Sequence, residues 1–260
     1  MLDVQAAPDG RGIDVQRVGL KGVHLPCLIR TMDGGYQQVL GRITLSVELP
    51  KEYRGTHMSR FMEVLLAWSQ QPISGRELKL ILNELAARLA APAADIALRF
   101  RYFLPKKAPV TGSVSHLDYV VETYGRLAES TYDYVLGVEV PVLSLCPCSK
   151  EISSFGAHNQ RAVIRARVRC FPRKFVWIEE LIALLESQGS CPIYPLLKRE
   201  DERHVTEQSY EHPKFVEDIV RDTVLALRAE PKVRWFAVEC ESYESIHNHS
   251  AFAAHEEEKT

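Results

Sequence analysis

The stretch from Leu145 to Arg161 reads LCPCSKEISSFGAHNQR and concentrates reactive side chains: Cys146, Cys148, Lys150, Glu151, His158 and Arg161. Two later stretches add to it. KREDERHVTE spans Lys198 to Glu207, and ESYESIHNH spans Glu241 to His249. Together they offer Cys146 or Cys148, His158, one of Glu200 or Glu202, Glu244, and His247 or His249. Thiolate, imidazole and carboxylate are the donors that hold a divalent transition ion, and a catalytic site of this kind keeps one position open. A Cys-x-Cys pair with no second pair suits a closed structural zinc site poorly, whereas a mixed set suits an open, reactive one. Glu241 and His249 read equally well as solvent-facing. Cys27, Cys170, Cys191 and Cys240 sit among apolar neighbours and read as small core residues.

Elements of regular period carry these groups. Tyr132, Tyr134, Leu136, Val138 and Val140 recur at every second position before the reactive stretch. After it, Ile164, Ala166, Val168 and Cys170 alternate with Arg165, Arg167 and Arg169. Both are patterns of strands with one buried face. Ile43, Leu45, Val47 and Leu49 predict another strand, stopped by Pro50. Helical spacing follows from Gly55 to Ser69, with Thr56 or Ser59 as cap, and again in SGRELKLILNELAARLA, where Ser74 and Glu77 have capping-box spacing and Pro92 ends the run. Strands resume at Leu98 to Tyr102 and about His116 to Thr123. The second half predicts helices over about Val176 to Gln188 and Pro213 to Ala229, with Pro213 in the first turn, then a strand from Val233 to Cys240.

Each half thus reads as strands, two helices, then strands. That order predicts an α+β fold of two similar modules built on antiparallel sheets. Residues 1–35, rich in Gly and Pro, read as an extended N-terminal arm; 36–128 form the first module; 129–250 form the second, which carries most of the site; 251–260 read as a solvated tail.

With 46% hydrophobic and 25% charged residues over 260 positions, the chain has the composition of a soluble globular protein. A net charge of -2 argues against a stable nucleic-acid partner. No run reaches the roughly 18 apolar residues that span a membrane. Six cysteines without a dense framework fit a reducing compartment, so the expected location is cytoplasmic.

Taken together, LCPCSKEISSFGAHNQR, LLKREDERHVTE with KFVEDIVRD, and ESYESIHNHSAFA resemble the type IB GTP cyclohydrolase I family. GTHMSRF near residue 55 and the opening DVQ with DGRG extend the likeness over nearly the whole chain. The resemblance implies the tunnelling fold (T-fold), in which strand and helix-pair modules close into a barrel by oligomerising, with helices outside, here as a homotetramer. It implies conversion of GTP to 7,8-dihydroneopterin triphosphate and formate, the first step of tetrahydrofolate synthesis, with a divalent metal ion (zinc, manganese or iron). By motif position, Cys146, Glu202, Glu244 and His247 match the metal ligands, with His158 as ligand or proton shuttle. Alignment of the Asp-Glu pair selects Glu202 over Glu200. Glu217 matches the carboxylate that recognises guanine, and Cys148 an essential cysteine that transfers protons or contacts an intermediate. Lys150, Arg161, Lys198 and Arg199, with His57 and Arg60 from a neighbouring subunit, are candidates for holding the triphosphate. The alternatives are a nitrile reductase of the same fold, which would use NADPH, and a non-catalytic zinc or thiol-redox module.

Overall fold

The computed structural model describes residues 5 and 7–259. Asp3 and Val4 of the DVQ opening lie outside the described residues. The fold is α+β, and its strands form a mixed sheet: β1 (Val15–Arg30) pairs antiparallel with β2 (Tyr36–Leu49) and parallel with the two-residue β3 (Pro72–Ile73). The chain divides into two compact units. The first comprises residues 1–101 and 122–136, the second residues 102–121 and 137–260. These limits differ from the module boundaries at 36–128 and 129–250, because β4 (Ala93–Lys107), β5 (Val114–Ala128) and β6 (Thr131–Leu145) each supply residues to both units.

In the first unit the strand order is β3-β1-β2-β4. The expected extended arm is, over Val15–Arg30, a strand of 16 residues paired with β2. Its glycines serve the pairing. A Cβ at Gly19 would stand 2.1 Å from the Leu45 carbonyl oxygen, and Gly22, at φ +72°, lies in the irregularity between Leu20 and Val23. α1 (Met58–Ser69) and α2 (Gly75–Leu89) follow as the apolar period predicts. The Ser74–Glu77 box forms, with the Ser74 amide donating to the Glu77 carboxylate at 2.9 Å. The cap of α1 is neither Thr56 nor Ser59 but His57, which makes no side-chain capping bond. α2 ends through Ala90 in the left-handed region, two residues before Pro92.

The second unit carries the reactive stretches. Its strands run β10-β9-β7-β6, with the two-residue β8 (Cys191–Pro192) also on β6. β7 (Asn159–Cys170) and β9 (Val233–Ser242) pair antiparallel, so Ile164 lies beside Cys240 and Val168 beside Phe236, all of them buried. α4 (Ile178–Glu186) and α6 (Val216–Ala229) contact one another, and α6 packs on β9 and β10. Leu181, Leu185, Ile219 and Leu227 are fully buried. Pro213 precedes α6 rather than opening its first turn; there the Asp218 carboxylate accepts from the Phe215 amide at 3.1 Å.

Two helices depart from the expected pair: α3 (Pro147–Ile152) and α5 (Arg199–Glu211). The solvated tail is likewise corrected. Residues Ala251–Glu258 form β10, paired antiparallel along β9 from Ser242 to Trp235. Among the described residues no helix is long and apolar enough to cross a membrane.

Candidate functional site

Cys146 directly follows β6 and caps α3. Its sulfur accepts the Ser149 amide at 3.3 Å, while its own amide donates to the His158 carbonyl at 3.1 Å. The His158 amide in turn donates to the Ser149 hydroxyl at 3.3 Å. Backbone bonds therefore hold the thiol and the imidazole at the two ends of one short loop. Gly156 bends that loop at φ +120°, a conformation side-chain-bearing residues rarely adopt.

His158 is oriented by a residue sequence reasoning missed. Its Nδ1 lies 2.8 Å from the amide oxygen of buried Gln160. An amide oxygen only accepts, so Nδ1 carries the hydrogen in this contact. The same amide turns its nitrogen to Glu244 Oε1 at 3.5 Å, which supports this orientation of the amide. Glu244 also accepts from the Ser242 hydroxyl at 2.9 Å, and its Oε2 stands 3.9 Å from His158 Nδ1. The carboxylate thus sits on the side of the ring that Gln160 engages. Among the described residues no group of three His, Cys, Asp or Glu side chains is placed to hold a metal ion. Cys146 follows β6, His158 precedes β7 and Glu244 follows β9, three neighbouring strands, but their donor atoms do not converge. The only sequence signal for Gln160 is its place two residues after His158, at the start of a strand.

The remaining candidates are placed as follows. Cys148 is exposed on α3. The Lys150 ammonium donates to the Tyr210 carbonyl and lies 4.2 Å from the centre of that ring, so the end of α5 occupies it. Arg161 is exposed, and its carbonyl accepts the Tyr243 amide at 2.9 Å. Lys198, Arg199, Glu200 and Glu202 are exposed around the start of α5, where three acids suit the helix dipole. Asp201 between them is fully buried and accepts from the Val110, Thr111 and Lys198 amides and the Thr111 hydroxyl. Those hydrogen bonds hold its pKa well below the usual carboxylate range, against the opposing effect of burial.

His247 and His249 stack at 5.1 Å in the exposed segment between β9 and β10. Glu241 pairs with Arg165 at 2.9 Å. Burial pushes the thiols of Cys191 and Cys240 up to about 11 and about 12, so neither offers a thiolate at neutral pH. In the first unit, His57 precedes α1 and Arg60 donates to the Arg88 carbonyl at 2.9 Å.

Glu217 is exposed in the first turn of α6. It lines a groove of about 480 Å³ together with Val220 and Val224 of that helix and Ala253, Ala254 and His255 of β10.

The fold places the chain in a known structural class. It is similar to the uricase from Arthrobacter globiformis, with a TM-score of 0.56 at 11% identity, covering 94% of this chain and 93% of that one. A highly active mutant of the urate oxidase from Bacillus sp. TB-90 aligns at a TM-score of 0.55 and 9% identity, covering 94% of this chain and 100% of that one. At such identities the likeness is one of fold. Sequence narrows the class. The family described as "Type I GTP cyclohydrolase folE2" matches residues 1–253. The GTP cyclohydrolase FolE2 of Geobacter sulfurreducens is 49% identical over 259 residues, spanning 100% of this chain and 99% of the relative. That of Magnetococcus marinus is 49% identical over 253 residues, spanning 97% and 94%. The chain belongs to the type I GTP cyclohydrolase FolE2 family.

Proposed function

We propose that this chain is a metal-dependent GTP cyclohydrolase I of the cytoplasm. It converts GTP and water to 7,8-dihydroneopterin triphosphate and formate, the entry to tetrahydrofolate synthesis. The observation that carries the chemistry is the oriented imidazole: Gln160 engages His158 Nδ1, and a backbone bond ties His158 to Cys146.

A thiol, an imidazole and a carboxylate at the ends of neighbouring strands fit zinc, manganese or iron as a donor set. Cys146, Glu202, Glu244 and His247 would hold the ion, with His158 as a further ligand or a proton shuttle. A divalent cation held there supplies the Lewis acidity that makes water nucleophilic towards guanine C8 at neutral pH. Gln160 keeps His158 in one tautomer, as a hydrogen-bonded outer residue does for a ligating histidine. Cys148, exposed on α3 two residues after Cys146, moves a proton or contacts an intermediate.

Glu217 recognises the base. Its carboxylate accepts from guanine N1–H and from one hydrogen of the 2-amino group, a match adenine cannot make. Arg161, Lys198 and Arg199 are exposed cations for the triphosphate, joined by Lys150 once it leaves Tyr210, and by His57 and Arg60 of a neighbouring subunit.

The working form is a homotetramer in which two-module chains close a T-fold barrel, helices outside. Support comes from apolar side chains exposed beside the site: Ile152 at 80%, Phe155 at 101% and Phe252 at 70%. Surfaces of that kind are covered in assemblies. Incubation of GTP with the metal-loaded chain tests the reading. Formate equal to GTP consumed, and a pterin that fluoresces after oxidation, are the expected products. Turnover that survives exhaustive chelation would remove the metal from the mechanism.

A further inference from the structure

The groove beside α6 contains more recognition chemistry than one carboxylate. β10 supplies its second wall, and that wall is anchored. Arg228, on the same helix as Glu217, donates to Glu257 from Nε at 3.0 Å and from Nη2 at 2.7 Å. Lys259 donates to the carbonyls of Leu227, Arg228 and Glu230 at the end of α6. The strand is thereby clamped to the helix on whose first turn Glu217 stands.

Glu257 also engages His255, whose Nε2 lies 3.1 Å from its Oε2. The Arg228 and His255 hydrogen bonds hold the Glu257 carboxyl down to about 2, so at neutral pH it is ionised and only accepts. The hydrogen of that contact therefore sits on His255 Nε2. With Nε2 engaged by Glu257, Nδ1 is the ring nitrogen left to meet a ligand. The ring also lies 6.2 Å from that of Phe236, which limits its turning.

Guanine carries three hydrogens along the edge that Glu217 reads, one on N1 and two on the 2-amino group. Two satisfy the carboxylate. We infer that His255, held by Glu257, is a second base-recognition residue whose Nδ1 accepts the remaining hydrogen of the 2-amino group. The inference rests on the assignment of Glu217 to guanine. In it, Ala253 and Ala254 keep the wall low enough for a flat purine to lie against β10, and Glu257 is a positioning residue that never touches the nucleotide.

The experiment measures binding of GTP and of inosine triphosphate, which lacks the 2-amino group, to the full metal-loaded chain. His255→Phe keeps the ring and its packing but removes the acceptor. It is expected to reduce the preference for GTP over inosine triphosphate by about three- to tenfold, the worth of one hydrogen bond, while inosine triphosphate binds as before. His255→Gln, with an acceptor oxygen on a flexible arm, should recover part of the preference. An unchanged preference in His255→Phe, with GTP binding lost in Glu217→Gln, overturns the role of His255 and leaves that of Glu217 standing. GTP binding that survives Glu217→Gln overturns the base-recognition reading and this inference with it. If His255→Phe does not fold, the comparison passes to Glu257→Ala. Freed of its fixed acceptor, the imidazole there should lose part of the same preference, and an unchanged ratio again overturns the inference.

Discussion

The loop from Cys146 to His158 and the groove between α6 and β10 lie in the same unit but are built differently. In the loop, backbone bonds place the reactive groups. The Cys146 amide meets the His158 carbonyl, Ser149 ties to both, and the imidazole is oriented by a buried amide. In the groove, side chains do the placing: one face of a helix, one edge strand, and the Arg228–Glu257 ion pair between them. The groups proposed for bond-making are thus placed by the main chain, and those proposed for recognition by side chains tied to one another. The difference implies that the two functions separate under mutation.

The largest effect is expected from the loop. Cys146→Ala removes a proposed metal donor and should reduce formate release by more than about 100-fold, with metal content falling in parallel. GTP binding should weaken far less. Full metal and full rate in this variant would place the site on another stretch of the chain.

Adjacent acids on α5 sharpen the contrast between holding a fold and doing chemistry. Asp201 is buried under four hydrogen bonds, whereas Glu202 is exposed. Asp201→Ala should lower the melting temperature clearly, since three backbone amides and the Thr111 hydroxyl lose their acceptor. Glu202→Gln should leave the melting temperature unchanged and reduce metal content and turnover. The reverse pattern would mean that the roles of the two are exchanged. Acid should act on Asp201 in a set direction. Its folded pKa is depressed, so its contribution is present above the unfolded value of about 3.9 and is lost as pH falls below it.

The smallest effect belongs to the clamp on β10. Glu257 is likewise depressed, so its tie to Arg228 and His255 is complete above about pH 4.3 and fades as pH falls towards about 2. Amide exchange along β10 should accelerate over that window before β9 loosens. Simultaneous loss of both strands would contradict a separately clamped edge.

Periodicity and caps made much of the fold legible. The alternation of Ile164, Ala166 and Val168 with arginines gave β7, and Ser74 with Glu77 marked the start of α2. β1 was hidden because Gly19 and Gly22 look like loop punctuation. In the fold they allow the Leu45 carbonyl to approach and the strand to bulge. α5 was hidden because REDERHVTEQSYE has no apolar stripe, only Asp201 and Ser209 being buried in it. β10 was hidden because an acidic run resembles a solvated tail. Its acids are partnered: Glu256 by Trp235, Glu257 by Arg228, and Glu258 by Arg234. Cys146, His158 and Glu244 could be proposed from their types, but Gln160, which sets the tautomer, is known only once the strand end is folded.

The separation of chemistry from recognition is tested most directly on Glu217→Gln, with metal content and GTP affinity measured on one preparation. The amide keeps the size of the carboxylate but turns a donor towards guanine, a loss of roughly 2 to 5 kcal/mol, about 30-fold or more in affinity. The account predicts that weakening together with a metal content equal to that of the unaltered chain. GTP bound with unchanged affinity, or metal lost along with it, would contradict it.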